Sequence, residues 1–228
     1  MLGSCFESKA NCIDKIHKPN NTFVDCQSIH PFDPFNIDSS DTFIIGSIPP
    51  YRFCAKPKLL FCGDVDWYYG SKDNFFWDII KEACGDASLD LCAMESRKEF
   101  LCSKNIGIFD MICECTRRDC SSSDSNLYNI KLIDVWSIVK ANTNIKRLFF
   151  TSIFVANLFN RQTGAKIDLK NRDIQNIKAC DKELEVTILY SPSPSWARGL
   201  DEKTRKNPEK NQIRIAQYKQ LCNKENTK

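Results

Sequence analysis

Histidine is scarce in this sequence, and no pair of cysteines has the spacing typical of a metal site. The 228 residues contain two histidines, His17 and His30, and no C-x2-C pair among 13 cysteines. The closest pattern is the C-x-C-x4-C of residues 113–120. Structural zinc and iron–sulfur sites usually combine C-x2-C-type pairs with further cysteines or histidines. We therefore expect neither a metal nor any other cofactor.

Long apolar runs are also absent. No stretch reaches the roughly 18 apolar residues of a membrane span. The first residues, MLGSCFESKANC, lack the apolar core of a signal peptide. The apolar content of 42% is too high for a fold that depends on disulfides. We expect reduced thiols and an intracellular protein without membrane contact, in the cytoplasm with the nucleoid or in the nucleus.

Charge of one sign is not in large excess, but it is unevenly distributed. The formal net charge is +3, and residues 196–228 hold nine Lys and Arg against four Asp and Glu. Such a basic segment is compatible with a polyanion partner and equally with a solvated helix. Charge therefore leaves nucleic acid open as a partner without indicating it.

Four short apolar runs predict β-strands, with helical patterns between them. Strands that are apolar throughout and alternate with helices favour a parallel sheet covered on both faces. We predict an α/β fold, a three-layer α/β/α sandwich with a central, mainly parallel four-stranded sheet. The strands are TFIIG (42–46), IGIFDM (106–111), RLFFTS (147–152) and EVTILYS (185–191); the helices follow Asn74, cover 130–142 and 153–160, and include Ile215, Tyr218 and Cys222.

The two ends of the predicted domain differ in composition. Residues 1–40 are rich in Pro, Asn and Asp and have no sustained period, which predicts an irregular N-terminal arm on a domain formed by residues 41–228. Ligands of parallel sheets bind at the C-terminal ends of the strands. Attention therefore falls on GSIPP (46–50), on 110–119 and on SPSPS (191–195). Prolines stiffen SPSPS, and its alternating hydroxyls suit phosphate oxygens, although an ordinary turn is the alternative.

These motifs, taken in order, resemble the uracil-DNA glycosylase superfamily. The likeness consists of HPF (30–32), GSIPP, WYYGSKDNFFW (67–77), GIFDMICECTRRDCSSSDSNL (107–127) and SPSPS. It is closest to the branch that includes the hypoxanthine (deoxyinosine) and mismatch-type glycosylases. The resemblance implies an enzyme, acting as a monomer on DNA, that flips out a modified base and hydrolyses its N-glycosidic bond without a metal.

The resemblance assigns catalysis to an asparagine. Many members of the superfamily carry Asp or Asn at the third position of the first motif to align water, but this sequence has Ile48, which cannot. In the hypoxanthine-type branch the asparagine of an N-x-F-W motif resembles that role, and Asn74 begins such a motif here. Helix capping is the alternative for Asn74. Asp110 and Asp73 are candidate bases, or else a cap and a surface charge.

Other motif positions imply contacts with the base and with DNA. Tyr69 offers a ring for stacking beside Trp67 and Tyr68, with core packing as the alternative. Trp196 is suited to fill the space that the flipped base leaves, unless it is buried. The expected base-binding residues are Gly46, Ser47, Ile48, Tyr69 and Thr151, and the expected DNA-binding residues are Ser191, Ser193, Ser195, Trp196 and Arg198.

Two departures from the superfamily pattern keep the substrate open. Ser191 replaces the histidine that opens the last motif of uracil-specific members, and Thr151-Ser152 stands where many relatives have Asn-Gly. Uracil specificity therefore does not transfer to this chain. A glycosylase-fold protein that binds modified DNA without cleaving it is the alternative function, and an unrelated α/β enzyme acting on nucleosides or small phosphorylated ligands is another.

Overall fold

The computed structural model describes residues 24–199 and 210–222, and this part of the chain forms a mixed α/β fold with two sheets. The strands are β1 (Cys26–Ile29), β2 (Thr42–Gly46), β3 (Ile106–Asp110), β4 (Ile112–Arg117), β5 (Leu127–Leu132), β6 (Arg147–Phe150), β7 (Gln175–Ala179) and β8 (Lys182–Ile188). The helices are α1 (Tyr51–Cys54), α2 (Phe76–Cys84), α3 (Met94–Ser103), α4 (Val135–Ala141), α5 (Ile153–Thr163) and α6 (Lys210–Tyr218).

The larger sheet is mixed and has five strands, in the order β3-β2-β6-β8-β7. Its first four members run parallel to one another, and β7 pairs antiparallel with β8. The prediction of four strands is therefore wrong in number. The missed strand, β7, is an edge strand that alternates between half-buried and exposed residues. Its sequence, QNIKA, therefore lacks the apolar run that identifies a central strand.

Side chains of the central strands alternate between two hydrophobic cores, one on each face of the sheet. In β2, Phe43 and Ile45 point to one core and Ile44 to the other, and all three are fully buried. Helices α4 and α5 contribute Val139 and other residues to the first core. Helices α2, α3 and α6 contribute residues such as Phe76 to the second. Burial of both faces explains why these strands read as unbroken apolar runs.

The starts of α4 and α5 and the end of α2 follow local capping rules. The start of α4 corrects the sequence analysis. The helix predicted over 130–142 is a strand followed by a helix, because Asp134 accepts a hydrogen bond from Ser137 N (3.1 Å) and starts α4 at Val135. Residues 130–132 of the predicted helix belong to β5. Ser152 caps α5 in the same way through Val155 N (3.2 Å). Helix α2 ends at Gly85, whose φ of 63° is the left-handed conformation that glycine adopts readily.

A second, antiparallel sheet of order β1-β4-β5 covers one end of the domain. Strand β1 lies within residues 1–40, the segment predicted to be an irregular arm, and pairs Cys26 with Arg117 of β4. Its burial alternates strictly, so only two of its four side chains face the interior. The boundary between arm and domain at residue 41 stays a prediction.

Two pairs of cysteines are disulfide-bonded, which corrects the expectation of reduced thiols for these four residues. Cys26 is joined to Cys120 and Cys84 to Cys222, with Cα–Cα distances of 5.0 and 5.5 Å. Those separations are in the normal range for disulfides. The partners are 94 and 138 residues apart in sequence, so spacing gave no sign of them.

Within the described residues, no helix has both the length and the apolar character needed to cross a membrane.

A buried arginine joins the second sheet to the end of the first. Arg117 is 1% exposed, and its guanidinium donates to Ser28 Oγ (2.9 Å), to Ser121 O (3.0 Å) and to Pro49 O (2.6 Å). Pro49 lies in the segment that follows β2, and Ser121 begins the polar loop after β4. Arg117 therefore positions two segments that border the same strand ends.

Replacing Arg117 by methionine should lower the free energy of unfolding by about 2–4 kcal/mol, because one buried and two half-buried residues lose a charged hydrogen-bond donor. Arg118→Met is the matched control: Arg118 is exposed, and its loss should change stability by no more than about 0.5 kcal/mol. Urea denaturation followed by circular dichroism measures both. Equal stabilities of the two variants would contradict the structural role of Arg117.

Candidate active site

One cavity of about 790 Å³ opens at the C-terminal ends of the parallel strands. Its wall is formed by segments that follow β2, β6 and β8, by the last residue of β3, by residues 67–74 and by the loop 122–125. Nearly all the residues singled out from the sequence lie in this wall. They are Ser47, Ile48, Tyr69, Asp73, Asn74, Asp110, Thr151, Ser191, Ser193, Ser195 and Trp196.

Gly46 permits close packing next to the cavity. Residues 46 and 110 are register partners in the parallel pair of β2 and β3. A Cβ atom at position 46 would overlap Asp110 Oδ1 and the hydroxyl of Tyr69. Any larger residue would therefore push the carboxylate or the phenol out of place. Glycine is needed here for the close approach of these two groups.

Tyr69 and Thr151 form a hydrogen-bonded pair behind this contact. The phenol of Tyr69 donates to Thr151 Oγ1 (3.0 Å), and Thr151 Oγ1 lies 3.3 Å from Ile45 O, to which it donates. Burial raises the pKa of Tyr69 well above its ordinary value, so the phenol stays protonated. Because a hydroxyl has one donor and two acceptor positions, Thr151 keeps a single acceptor position for a ligand.

The aromatic residues around Tyr69 have different roles. The Tyr69 ring stacks on Phe76 at a centroid distance of 4.2 Å and an angle of 17°, and Tyr69 lines the cavity. Trp67 and Tyr68 are 6% and 2% exposed. Trp67 stacks on Trp77, and Tyr68 packs beside Phe32. Trp67 and Tyr68 therefore belong mainly to the core, although part of each reaches the cavity wall.

Asn74 is half-buried in the cavity wall, two residues before the start of α2. Its Oδ1 accepts a hydrogen bond from Phe76 N at 2.9 Å. The side chain therefore satisfies one free N–H group at the start of the helix, as a capping residue does. The same oxygen keeps a second lone pair, and the NH2 group adds two donors. Capping and contact with a ligand are compatible in this geometry.

The SPSPS loop is tied to the start of α2 and is internally hydrogen-bonded. Pro192 O accepts from Phe75 N (3.0 Å), next to Asn74. Ser191 Oγ accepts from Ser193 N (3.2 Å), and the hydroxyls of Ser193 and Ser195 are 3.0 Å apart. The loop is therefore a rigid element held against the cavity, and its hydroxyls already share hydrogen bonds with one another.

A buried cation supports this loop from behind. Arg214 is 3% exposed, donates to Ser191 O (3.3 Å), and lies 4.3 Å from the Trp196 ring and 5.5 Å from that of Phe75. Trp196 is half-buried between Arg214 and Tyr190. Burial lowers the pKa of Arg214. The side chain of Arg198, predicted to contact phosphate, lies outside the described residues.

Two residues of the site were not assigned from the sequence. His30 Nε2 is 2.9 Å from Asp110 Oδ2. Its only sequence signal was its place in the HPF motif. Asp124 lines the cavity in a serine-rich loop that carries no signal of its own. Burial raises the pKa of its carboxyl, while a hydrogen bond from Ser47 acts in the opposite direction.

Acidic groups at the cavity differ in exposure. Asp110 is 8% exposed, whereas the side chain of Asp73 is 60% exposed and lies 3.6 Å from the guanidinium of Arg52. Asp73 is therefore placed at the rim. Across residues 24–199 and 210–222, no three His, Cys, Asp or Glu side chains are grouped so that they could hold a metal ion. The carboxylates of Asp110 and Asp73 can supply acid–base and electrostatic chemistry.

Gly46→Ala should lower the free energy of unfolding by about 1–3 kcal/mol, because the added methyl overlaps a buried carboxylate and a buried phenol. Ser122→Ala, at an exposed position of the same cavity, is the control and should stay within about 0.5 kcal/mol of the parent. Urea unfolding of the three proteins gives the comparison. A fully stable Gly46→Ala protein would show that Asp110 and Tyr69 are not packed against position 46.

The fold is similar to that of a solved structure. The solution NMR structure of a putative uracil DNA glycosylase from Methanosarcina acetivorans aligns with a TM-score of 0.55 and 18% sequence identity. The alignment covers 86% of this chain and 99% of that chain. No protein-family model and no curated protein sequence matches this chain. At this identity the likeness is one of fold alone.

Proposed function

We propose that this protein is a monofunctional DNA glycosylase that flips a deaminated or otherwise modified base out of DNA and hydrolyses its N-glycosidic bond. The observation that carries the proposal is the convergence of the motif residues in one cavity at the strand ends. The likeness of fold to a putative uracil DNA glycosylase supports it. The N-x-F-W motif at Asn74 favours the hypoxanthine and mismatch-type branch of the superfamily.

The dimensions of the cavity suit a base that has left the duplex. A volume of about 790 Å³ lies within the range of small-molecule sites. Tyr69, which lines the cavity, is assigned as the stacking surface for the base, and Phe76 packs against its ring. Stacking of this kind contributes roughly 1–3 kcal/mol per base. Ser47, Ile48 and Thr151 border the same space and are assigned to base binding, together with Gly46, which adjoins Ser47.

The charge of the cavity suits the transition state. Cleavage of an N-glycosidic bond develops positive charge on the sugar, and fixed negative groups nearby stabilise it. Asp110 and Asp124 both line the cavity, and the charge of Asp110 helps to raise the pKa of Asp124. A carboxylate in this position favours the cationic sugar without forming a bond to it.

Two side chains are assigned to the attacking water. Asn74 offers amide hydrogen bonds that orient the water, and Asp110 is a carboxylate that accepts its proton. Ile48, at the position where many superfamily members carry the acid, can do neither. Orientation of the water and acceptance of its proton are therefore divided between Asn74, which precedes α2, and Asp110, the last residue of β3.

The surface around the SPSPS loop is assigned to the DNA backbone. Ser191, Ser193 and Ser195 present hydroxyls on a rigid loop, and the buried charge of Arg214 raises the positive potential behind it. Trp196, at the end of this loop, is assigned to fill the space left by the base, and Arg198 to contact a phosphate. Phosphate contacts position the duplex without reading its sequence.

A noncatalytic protein that binds modified DNA is the second candidate. It is favoured by Ile48 and by Asn74 Oδ1, which already bonds to Phe76 N. The assay that separates the two uses duplexes with uracil, hypoxanthine, xanthine, alkylated or hypermodified bases, followed by alkaline cleavage of abasic sites. We expect strand breaks with at least one duplex, and none with an Asn74→Ala Asp110→Asn double variant. Tight, salt-sensitive binding without breaks would instead identify the noncatalytic protein.

Asn74→Ala should lower the single-turnover rate of base release roughly 100-fold, because the amide that orients water is lost. It should also lower the free energy of unfolding by about 0.5–2 kcal/mol through the lost hydrogen bond to Phe76 N. Asn74→Asp keeps an acceptor for that N–H and should retain both stability and cleavage.

The control for these two variants is Asp78→Ala, at an exposed position on α2, the helix that Asn74 precedes. Rates are measured with enzyme in excess over a cleavable duplex, and affinities by fluorescence anisotropy. A full rate in Asn74→Ala with only the stability loss would leave Asn74 as a capping residue.

A further inference from the structure

His30 lies directly after β1 and reaches the active-site carboxylate from the second sheet. Its backbone N–H donates to Cys113 O (2.9 Å), which fixes it to β4. Its Nε2 is 2.9 Å from Asp110 Oδ2, and the two side chains are only 9% and 7% exposed. The partners are 80 residues apart in sequence. A contact this well shielded from water is stronger than the same contact at the surface.

The hydrogen-bond geometry determines where the histidine carries its proton. An ionised carboxylate only accepts hydrogen bonds, so Nε2 must be the donor to Asp110. Nδ1 lies 2.8 Å from Phe32 O, to which only a protonated Nδ1 donates, and 3.2 Å from Phe32 N, which donates only to an unprotonated Nδ1. The ring also packs against Phe32 and Tyr68, with centroid distances of 5.8 and 5.6 Å. The orientation of the ring is therefore set by its surroundings, and Nε2 is directed at Asp110.

This contact leaves one oxygen of Asp110 for the cavity. Oδ2 bonds to His30, whereas Oδ1 lies over Gly46. In the described part of the chain, no group donates a hydrogen bond to Oδ1. Asp110 lines the cavity that Asn74 also borders. A water molecule held between them would meet a free carboxylate oxygen on one side and an amide on the other.

We propose that His30 is a positioning residue that holds Asp110 directed at the attacking water; this role rests on the proposed glycosylase function. In the step, the water oxygen bonds to the sugar C1′ and its proton passes to Asp110 Oδ1. The C1′–N bond breaks, and its electron pair leaves with the base nitrogen. The imidazole N–H keeps its hydrogen bond to Oδ2 throughout. Orientation of a catalytic carboxylate by a second group follows the logic of other catalytic dyads.

The competing explanation is that His30 only packs the second sheet against the first. Two substitutions separate packing from positioning. His30→Phe keeps an aromatic ring between Phe32 and Tyr68 but removes the N–H donor. His30→Gln keeps an N–H donor with a similar reach but removes the ring. A packing role predicts that the phenylalanine variant is the milder change, and a positioning role predicts the reverse.

With a cleavable duplex in single-turnover reactions, His30→Phe should lower the rate of base release about 10- to 100-fold at an unchanged Kd for DNA. His30→Gln should remain within a few-fold of the parent rate. A parent-like rate in His30→Phe, an equal loss in both variants, or a loss of DNA affinity that matches the loss of rate would each overturn the proposal.

A second measurement does not depend on activity. Nitrogen-15 NMR can assign the ring tautomers because the chain has two histidines, and His17→Gln identifies the signals of His30. We expect a proton on His30 Nε2 that exchanges slowly with water and is lost from this state in Asp110→Leu. A ring protonated only on Nδ1, or a spectrum unaffected by Asp110→Leu, would overturn the proposal even in an active enzyme.

The two failures are distinguishable. Base release from no duplex would overturn the proposed function, and the catalytic role of His30 with it, while the hydrogen bond to Asp110 would still be visible by NMR. Base release that is insensitive to His30→Phe would overturn the role of His30 alone.

Discussion

The parallel pairing of β2 with β3 and β6 is the constraint on which the site depends. It aligns Gly46 with Asp110 and brings Thr151 N to Ile45 O (3.0 Å), so three strands end at the same level. Both faces of these strands are buried, which leaves polar groups no place except the strand ends. The polar side chains of the cavity therefore lie at one edge of the sheet, because the hydrophobic core excludes them elsewhere.

The second sheet contributes side chains that the first sheet does not provide at the cavity. Strands β1 and β4 bring His30 and Arg117 to the edge where the parallel strands end, and the loop between β4 and β5 brings Asp124. Arg117 binds this sheet to the segment after β2 through Pro49 O. A site with two acids near each other needs such support, since burial and mutual repulsion both oppose ionisation of the second acid.

Buried cations balance this acidic edge. Burial raises the pKa of Asp124, and the charge of Arg117 acts against that rise. Arg214 lies under the SPSPS loop against Trp196. Neither arginine reaches solvent, so their fields act through the protein interior, where screening is weak. The cavity thus has negative groups at its floor and positive charge behind the loop assigned to DNA. That separation suits a cationic sugar held beside an anionic backbone.

The sequence by itself determined the central strands, the class of the fold and most of the cavity wall. Runs such as TFIIG are apolar throughout because both faces of the strand are buried, and that property is visible in a single segment. Motif order identified Asn74, Tyr69 and the SPSPS loop. The apolar pattern did not identify β7, because two of its five residues are exposed. It did not identify β5, because an amphipathic strand directly before a helix resembles the helix itself.

Only the tertiary structure decided which distant groups meet. The pairing of His30 with Asp110, the disulfides, and the place of Arg214 beneath Trp196 join segments that are separated by many residues. It also decided between roles that a residue type leaves open: Trp67 and Tyr68 are buried in the core, whereas Tyr69 is half-buried and lines the cavity. Local sequence records the burial of a segment but not the identity of its partner, because contacts across the fold depend on how all the strands and helices pack together.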